Sequence, residues 1–192
     1  KAKKRAPKAT PRERDYIEAL SARYAEDPQV PVMKLQLAYA DAMRTLARKY
    51  PDDLDAVTLY AESLMNLNPW KLWSPDGKPG EHTGEIVELL ESVLQRNPDH
   101  LGANHYYIHA VEASTKPQRA HESANRLGRL APAIGHLVHM PAHVFMRVGD
   151  YESAARVNIA AAEADISIED LVSDEDVVVT ITQTGYAKRT KT

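Results

Sequence analysis

Two pairs of histidines with the pattern His-x-x-x-His carry the most chemistry in this sequence: His105 with His109, and His139 with His143. Four residues is about one turn of an α-helix, so each pair projects from one helical face. Imidazoles grouped in this way can ligate a divalent metal, hydrogen-bond a peptide backbone, or bond to one another. The two pairs are in register, because His105 to His139, His109 to His143 and Pro98 to Pro132 are each 34 positions. A recurrence near this length marks stacked helix–turn–helix units.

Counting from Pro51, Pro98 and Pro132 makes the column explicit. Seven residues on stand Thr58, His105 and His139; eleven on stand Glu62, His109 and His143. The first helices of neighbouring units pack about 8–10 Å apart. Glu62, His109 and His143 are therefore expected to converge as a His₂Glu set, which suits a divalent metal such as Zn with an open fourth position. His105 and His139 are alternative ligands, and His136 lies on the same face as His139. Pro141, between His139 and His143, is expected to kink its helix there, since it removes one hydrogen bond and crowds the preceding turn.

The elements that must position these residues are helices. Thr10, Pro11 and Glu13 form a capping-box start, and apolar residues continue at helical spacing to about Tyr24. Further helices are expected over 32–49, 54–67, 83–95, from the Asn97-Pro-Asp99 turn to about Ser114, over 117–130, from Pro132 to Val148, and from Tyr151. Gly149-Asp-Tyr151 reads as the tight turn before the eighth. The spacing from Pro51 to Pro98 is 47 instead of 34, so residues 68–80, with Trp70 and Trp73, form an inserted loop. Those tryptophans either make a binding lip or fold back as local core.

Composition narrows the function classes. The 192 residues are enough for one domain with a substantial core. A net charge of −3 gives no electrostatic reason for the helical part to bind nucleic acid. The absence of cysteine removes thiolate and disulfide chemistry and fits a cytoplasmic protein. No apolar run is long enough to span a membrane. There is no Gly-rich phosphate loop and no Gly-x-Ser-x-Gly elbow, and no catalytic residue is assigned. Residues 1–9, basic and Pro-containing, are expected to be a disordered tail.

Gly149-Asp-Tyr151, followed by alanines at helical spacing and by prolines closing each unit, resembles the tetratricopeptide (TPR) repeat. Tyr39-Ala-Asp-Ala-Met43, Tyr50-Pro-Asp-Asp53, Asn68-Pro-Trp70, Asn104-His-Tyr-Tyr-Ile-His109 and His136-Leu-Val-His-Met-Pro-Ala-His143 are similar to an uncharacterised bacterial TPR family over about residues 10–165. That resemblance implies an all-α right-handed solenoid of about eight helices with a concave groove, and brings no activity with it.

From about residue 166 the composition changes. Glu175-Asp-Val-Val-Val-Thr-Ile-Thr182, a Gly turn and Tyr186-Ala-Lys-Arg-Thr190 read as a short β-hairpin tail. Residues 166–192 resemble the opening of the C-terminal DNA-wrapping domain of DNA gyrase A, which makes the chain read as a chimaera or fusion. The gyrase family's Gln/Arg/Gly-rich box and DNA-attacking tyrosine have no counterpart here, and Tyr186 is not that tyrosine.

The preferred reading is a non-enzymatic interaction module. It binds a protein segment, peptide or small ligand in a groove lined by Asn104, His105, Tyr106, His109, His136, His139, His143, Trp70 and Trp73. A ladder of mutually bonded histidines holding the repeats together is the structural alternative. The functional alternatives are a metal-dependent hydrolase using Glu62, His109 and His143, and DNA association through the gyrase-like tail.

Overall fold

The computed structural model describes residues 2–169, 177–181 and 187–191 of the chain. The described helices are α1 (Ala2–Arg5), α2 (Pro11–Ser21), α3 (Val32–Lys49), α4 (Leu54–Met65), α5 (Thr83–Arg96), α6 (Leu101–Val111), α7 (His121–Leu130), α8 (Gly135–His139), α9 (Pro141–Val148) and α10 (Tyr151–Glu169). One-turn 3₁₀ segments at Ala6–Lys8 and Pro117–Ala120 precede α2 and α7. Most consecutive helices pack against one another, and α4 and α6, then α6 and α9, also make contact across the units. The architecture is a TPR-like all-α solenoid. Among the described residues no helix is long and apolar enough to cross a membrane.

Sequence rules account for the helix ends. Thr10 caps α2 through a complete capping box: Glu13 N–H donates to Thr10 Oγ1 at 3.3 Å, and Thr10 N–H donates to Glu13 Oε2 at 2.7 Å. Asp53 accepts from Ala56 N–H at the start of α4, and the Asp150 carboxylate accepts from Ser153 N–H before α10. Gly149 closes α9 in the left-handed region at φ 83°, which is the conformation the Gly-Asp-Tyr turn requires. Between α8 and α9 the hydrogen-bond ladder breaks at Pro141, as the proline in the sequence requires, while Met140 N–H still donates to His136 O at 3.1 Å.

One apolar cluster runs the length of the stack. Met43 and Leu46 of α3, Leu64 of α4, Ile86 and Leu90 of α5, Ile108 of α6, Leu127 of α7 and Val144 of α9 all belong to it. Two polar staples reinforce it at equivalent positions, nine residues after Pro51 and Pro98. Tyr60 Oη donates to Glu85 of α5 at 2.5 Å and accepts from Arg44 Nε of α3 at 2.8 Å. Tyr107 Oη donates to Glu91 of α5, whose carboxylate also receives Arg119 Nη2 at 2.6 Å. Both phenols are held in their protonated form, chiefly by burial and then by the carboxylate each one faces.

The inserted loop is tied down rather than loose. Thr83 Oγ1 and Gly80 N–H both donate to Leu72 O, and Trp73 pairs with Pro79 in an isolated antiparallel bridge. Trp73 Nε1 donates to Ala110 O at 2.7 Å, one of the carbonyls that the end of α6 leaves without an intrahelical partner.

Three expectations are corrected. Residues 2–8 form a helical turn and a 3₁₀ turn where composition suggests a disordered tail, and Lys3 Nζ reaches Glu18 at 3.0 Å. The helix expected from Pro132 begins only at Gly135, and the kink expected at Pro141 divides it into α8 and α9. The last helix runs through Asp165 to Glu169, because Ala-Asp-Ile-Ser-Ile-Glu contains no glycine or proline to stop it. Beyond it, Val177–Ile181 pairs antiparallel with Ala187–Lys191, Val179 opposite Arg189. The turn expected between these strands falls at 182–186, outside the described residues.

Two glycines separate backbone conformation from packing, since an added Cβ would meet nothing within 4 Å at Gly128 or Gly149. Gly128→Ala, inside α7, is expected to raise the unfolding free energy by about 0.5–1 kcal/mol. Gly149→Ala, at positive φ, is expected to lower it by about 1–2 kcal/mol. Urea titration followed by circular dichroism measures both, and equal effects would contradict the turn geometry.

Candidate functional site

Helices α6, α8 and α9 bring five of the eight histidines into one connected row. His105 and His109 stand a turn apart on α6 with ring centroids 5.0 Å apart. His136 of α8 reaches across the unit boundary, its Nε2 lying 3.1 Å from His105 Nε2. His109 and His143 face each other edge to face at 5.7 Å. His143 Nε2 lies 3.2 Å from His139 Nε2, and His139 Nδ1 lies 2.6 Å from Asn158 Oδ1 of α10. The break at Met140–Pro141 lies between these last two histidines.

Glu112, just past the end of α6, joins the two halves of the row. Its Oε2 accepts from His143 Nδ1 at 2.6 Å and its Oε1 from His109 Nδ1 at 3.3 Å. Burial pushes the Glu112 carboxyl up, but the hydrogen bonds from His109 and His143 outweigh it and hold the group at about 2. His143 is pushed up by its bond to Glu112, against the effect of burial. A proton on His143 also satisfies the rest of that branch. His143 Nδ1–H donates to Glu112 and Nε2–H to His139 Nε2, which leaves His139 Nδ1–H to donate to Asn158 Oδ1. At the other end burial, then the neighbouring imidazoles, press His105 down to about 4 and lower His136.

The row borders a groove of about 650 Å³. Its walls include Glu62, Trp70, Trp73, Tyr106, Glu112 and Arg147, together with His105, His109 and His143. Glu62 Oε1 accepts from Asn66 Nδ2 at 2.5 Å, and Arg23 approaches it at 3.8 Å. Glu62 Oε2 is buried without a hydrogen-bond partner. Trp70 is 90% exposed and holds φ 63°, a conformation that costs a non-glycine residue about 1–3 kcal/mol.

The expected site residues therefore divide. Glu62, His109 and His143 share the groove wall, but Asn66 and Arg23 engage one oxygen of Glu62, Oε1, while Glu112 stands between the two histidines. Among the described residues the triplet whose ligand atoms come together is His105, His109 and His136, within 4.8 Å of one another. Asn104, expected to face a ligand, is fully buried, with Nδ2 donating to Pro98 O and His100 O. It holds the first turn of α6. The two tryptophans part: Trp73 folds back onto α6 and Trp70 projects as a lip. Glu112 escapes a search for paired histidines, although its place three residues after His109 was a readable signal. Asn158 carried none, since only packing against α8 brings it to His139.

The Glu112–His143 bond sets a pH window for stability. The Glu112 contribution is present above the ordinary carboxyl value of 4.5 and is lost as pH falls through about 2. The His143 contribution is complete below the ordinary imidazole value of 6.5 and is lost as pH rises through its raised folded value. Glu112→Gln is thus expected to cost most stability between pH 4.5 and 6.5 and progressively less on either side. Urea unfolding of both proteins from well below pH 4.5 to well above pH 6.5 measures it, and a difference that stays constant over that whole span would sink the assignment.

Comparison with known proteins separates the chain into two resemblances. No protein-family model matches it. Solved structures of MamA share the fold. A chain titled MamA MSR-1 C2 aligns with a TM-score of 0.53 at 15% identity, over 86% of this chain and 92% of that one. One titled MamA RS-1 ArsTM double mutant gives 0.56 at 14% identity, over 87% and 92%. A short segment matches DNA gyrase A of Mycobacterium tuberculosis, 70% identical over 37 residues, or 19% of this chain. The match to the Streptomyces coelicolor protein is 49% over 45 residues. The chain spans about 4–5% of the length of these gyrase proteins. What the comparison with solved structures establishes is a TPR-like helical fold.

Proposed function

We propose that this protein is an interaction module that binds an extended peptide segment of a protein partner in the groove between α4, α6, α9 and the inserted loop. The observation that carries this reading is the pairing of two unmet surfaces on one groove. Trp70 presents a nearly bare indole, and Glu62 presents a buried oxygen with no donor. An apolar or aromatic side chain of the partner covers Trp70, and a backbone N–H or ammonium group of the partner satisfies Glu62. Arg147 and Glu62 at the same walls favour a partner that carries both signs of charge. The TPR-like fold supports the reading, because stacked helical repeats expose long grooves suited to extended chains. The cysteine-free composition fits a partner met in the cytoplasm.

Selection of phage-displayed random dodecapeptides on the immobilised full chain tests the proposal, followed by calorimetric titration of the enriched peptides. Trp70→Ala is expected to weaken binding by about tenfold or more, the loss typical of a central aromatic anchor. Glu62→Gln is expected to weaken it comparably, with circular dichroism unchanged for both variants. Failure to enrich any peptide, or enriched peptides that bind both variants as well as the native chain, would overturn the reading. A small molecule would then become the ligand to seek.

A further inference from the structure

We propose that His105, His109 and His136 form a binding site for one divalent transition metal ion of the zinc class. The three imidazoles come from two helices of adjacent units, and their ligand nitrogens already lie within 4.8 Å of one another. Around tetrahedral zinc, with Zn–N distances of about 2.0–2.1 Å, ligand nitrogens sit about 3.3 Å apart. His105 Nε2 and His136 Nε2, at 3.1 Å, already have that separation. In the metal-free protein these two nitrogens can approach so closely only by sharing one proton. A cation that meets both lone pairs replaces it.

A second feature, independent of the nitrogen spacing, points to the same ligand set. His109 donates Nδ1–H to Glu112 Oε1, which fixes the tautomer with its lone pair on Nε2. A carboxylate behind a ligating imidazole is the arrangement that orients histidines at zinc sites and increases their basicity. Glu112 is in turn anchored by His143, so the support spans α6 and α9. An all-imidazole set favours Zn²⁺, Co²⁺, Ni²⁺ or Cu²⁺ over Mg²⁺ and Ca²⁺, which require oxygen ligands. His105 and His109 line the groove, so the fourth position opens toward it. The site goes beyond the peptide reading and does not depend on it.

The test uses zinc sulfate as the sole probe, added to the tag-free full chain without peptide. Equilibrium dialysis with elemental analysis is expected to give one zinc per chain, and cobalt substitution is expected to give the visible bands of a tetrahedral site. His136→Ala removes an exposed side chain and so leaves the fold intact. It is expected to weaken zinc binding by at least about 100-fold and to abolish the cobalt bands. Glu112→Gln is expected to weaken zinc binding by about 10–100-fold. His139→Ala, outside the triplet, is expected to stay within about threefold of the native affinity, since it touches no ligand. Substoichiometric zinc, a His136→Ala variant that keeps its affinity, or a His139→Ala variant that loses as much would each overturn the assignment. Peptide selection with chelator present keeps a failure of this site separate from a failure of the groove.

Discussion

A carboxylate shared by two imidazoles from two helices is the constraint on which the rest of the site depends. Glu112 is largely buried, and a buried charge is tolerated only when its oxygens are matched by donors. His109 on α6 and His143 on α9 are those donors. Their commitment to Glu112 through Nδ1 determines which of their other nitrogens remain free. From that choice follow the direction of the bonds through His139 to Asn158 and the lone pair that His109 turns toward His105 and His136.

The groove owes its shape to the departure from the 34-residue repeat. A regular turn between α4 and α5 would leave the α4–α6 face open and shallow. The inserted segment instead folds against α6, where Trp73 meets a carbonyl that the helix end cannot use itself. With that indole spent on anchoring, the loop holds the other one outward over the groove. Fixed attachment and exposed aromatic surface thus come from the same short stretch of sequence.

How much of this the sequence revealed depends on whether a feature is periodic. The register of His105 with His139, and of His109 with His143, follows from counting, as do the capping box at Thr10, the Gly149 turn and the break at Pro141. Features that depend on neighbours across space did not emerge. Glu62 matches the histidines in register yet commits one oxygen to Asn66, a turn further along, and to Arg23, whose approach no count along the chain reveals. Asn104 sits beside a histidine motif but faces inward, because its amide is needed by two carbonyls of the preceding turn. The assembled triplet uses His136, which is out of register with the repeat and belongs to the short helix that Pro141 cuts off.

The tyrosine staples have a consequence for how the stack is held together. Tyr60 and Tyr107 each tie α5 to a neighbouring helix through a glutamate and an arginine. The corresponding position in the next unit is Pro141, which can make no such tie. In a solenoid each unit is held only by its neighbours, so its boundaries differ in strength one by one. Helix α9 therefore has no phenol at the place where α4 and α6 carry their clasp, and α8 and α9 reach α6 through imidazoles and Glu112 instead.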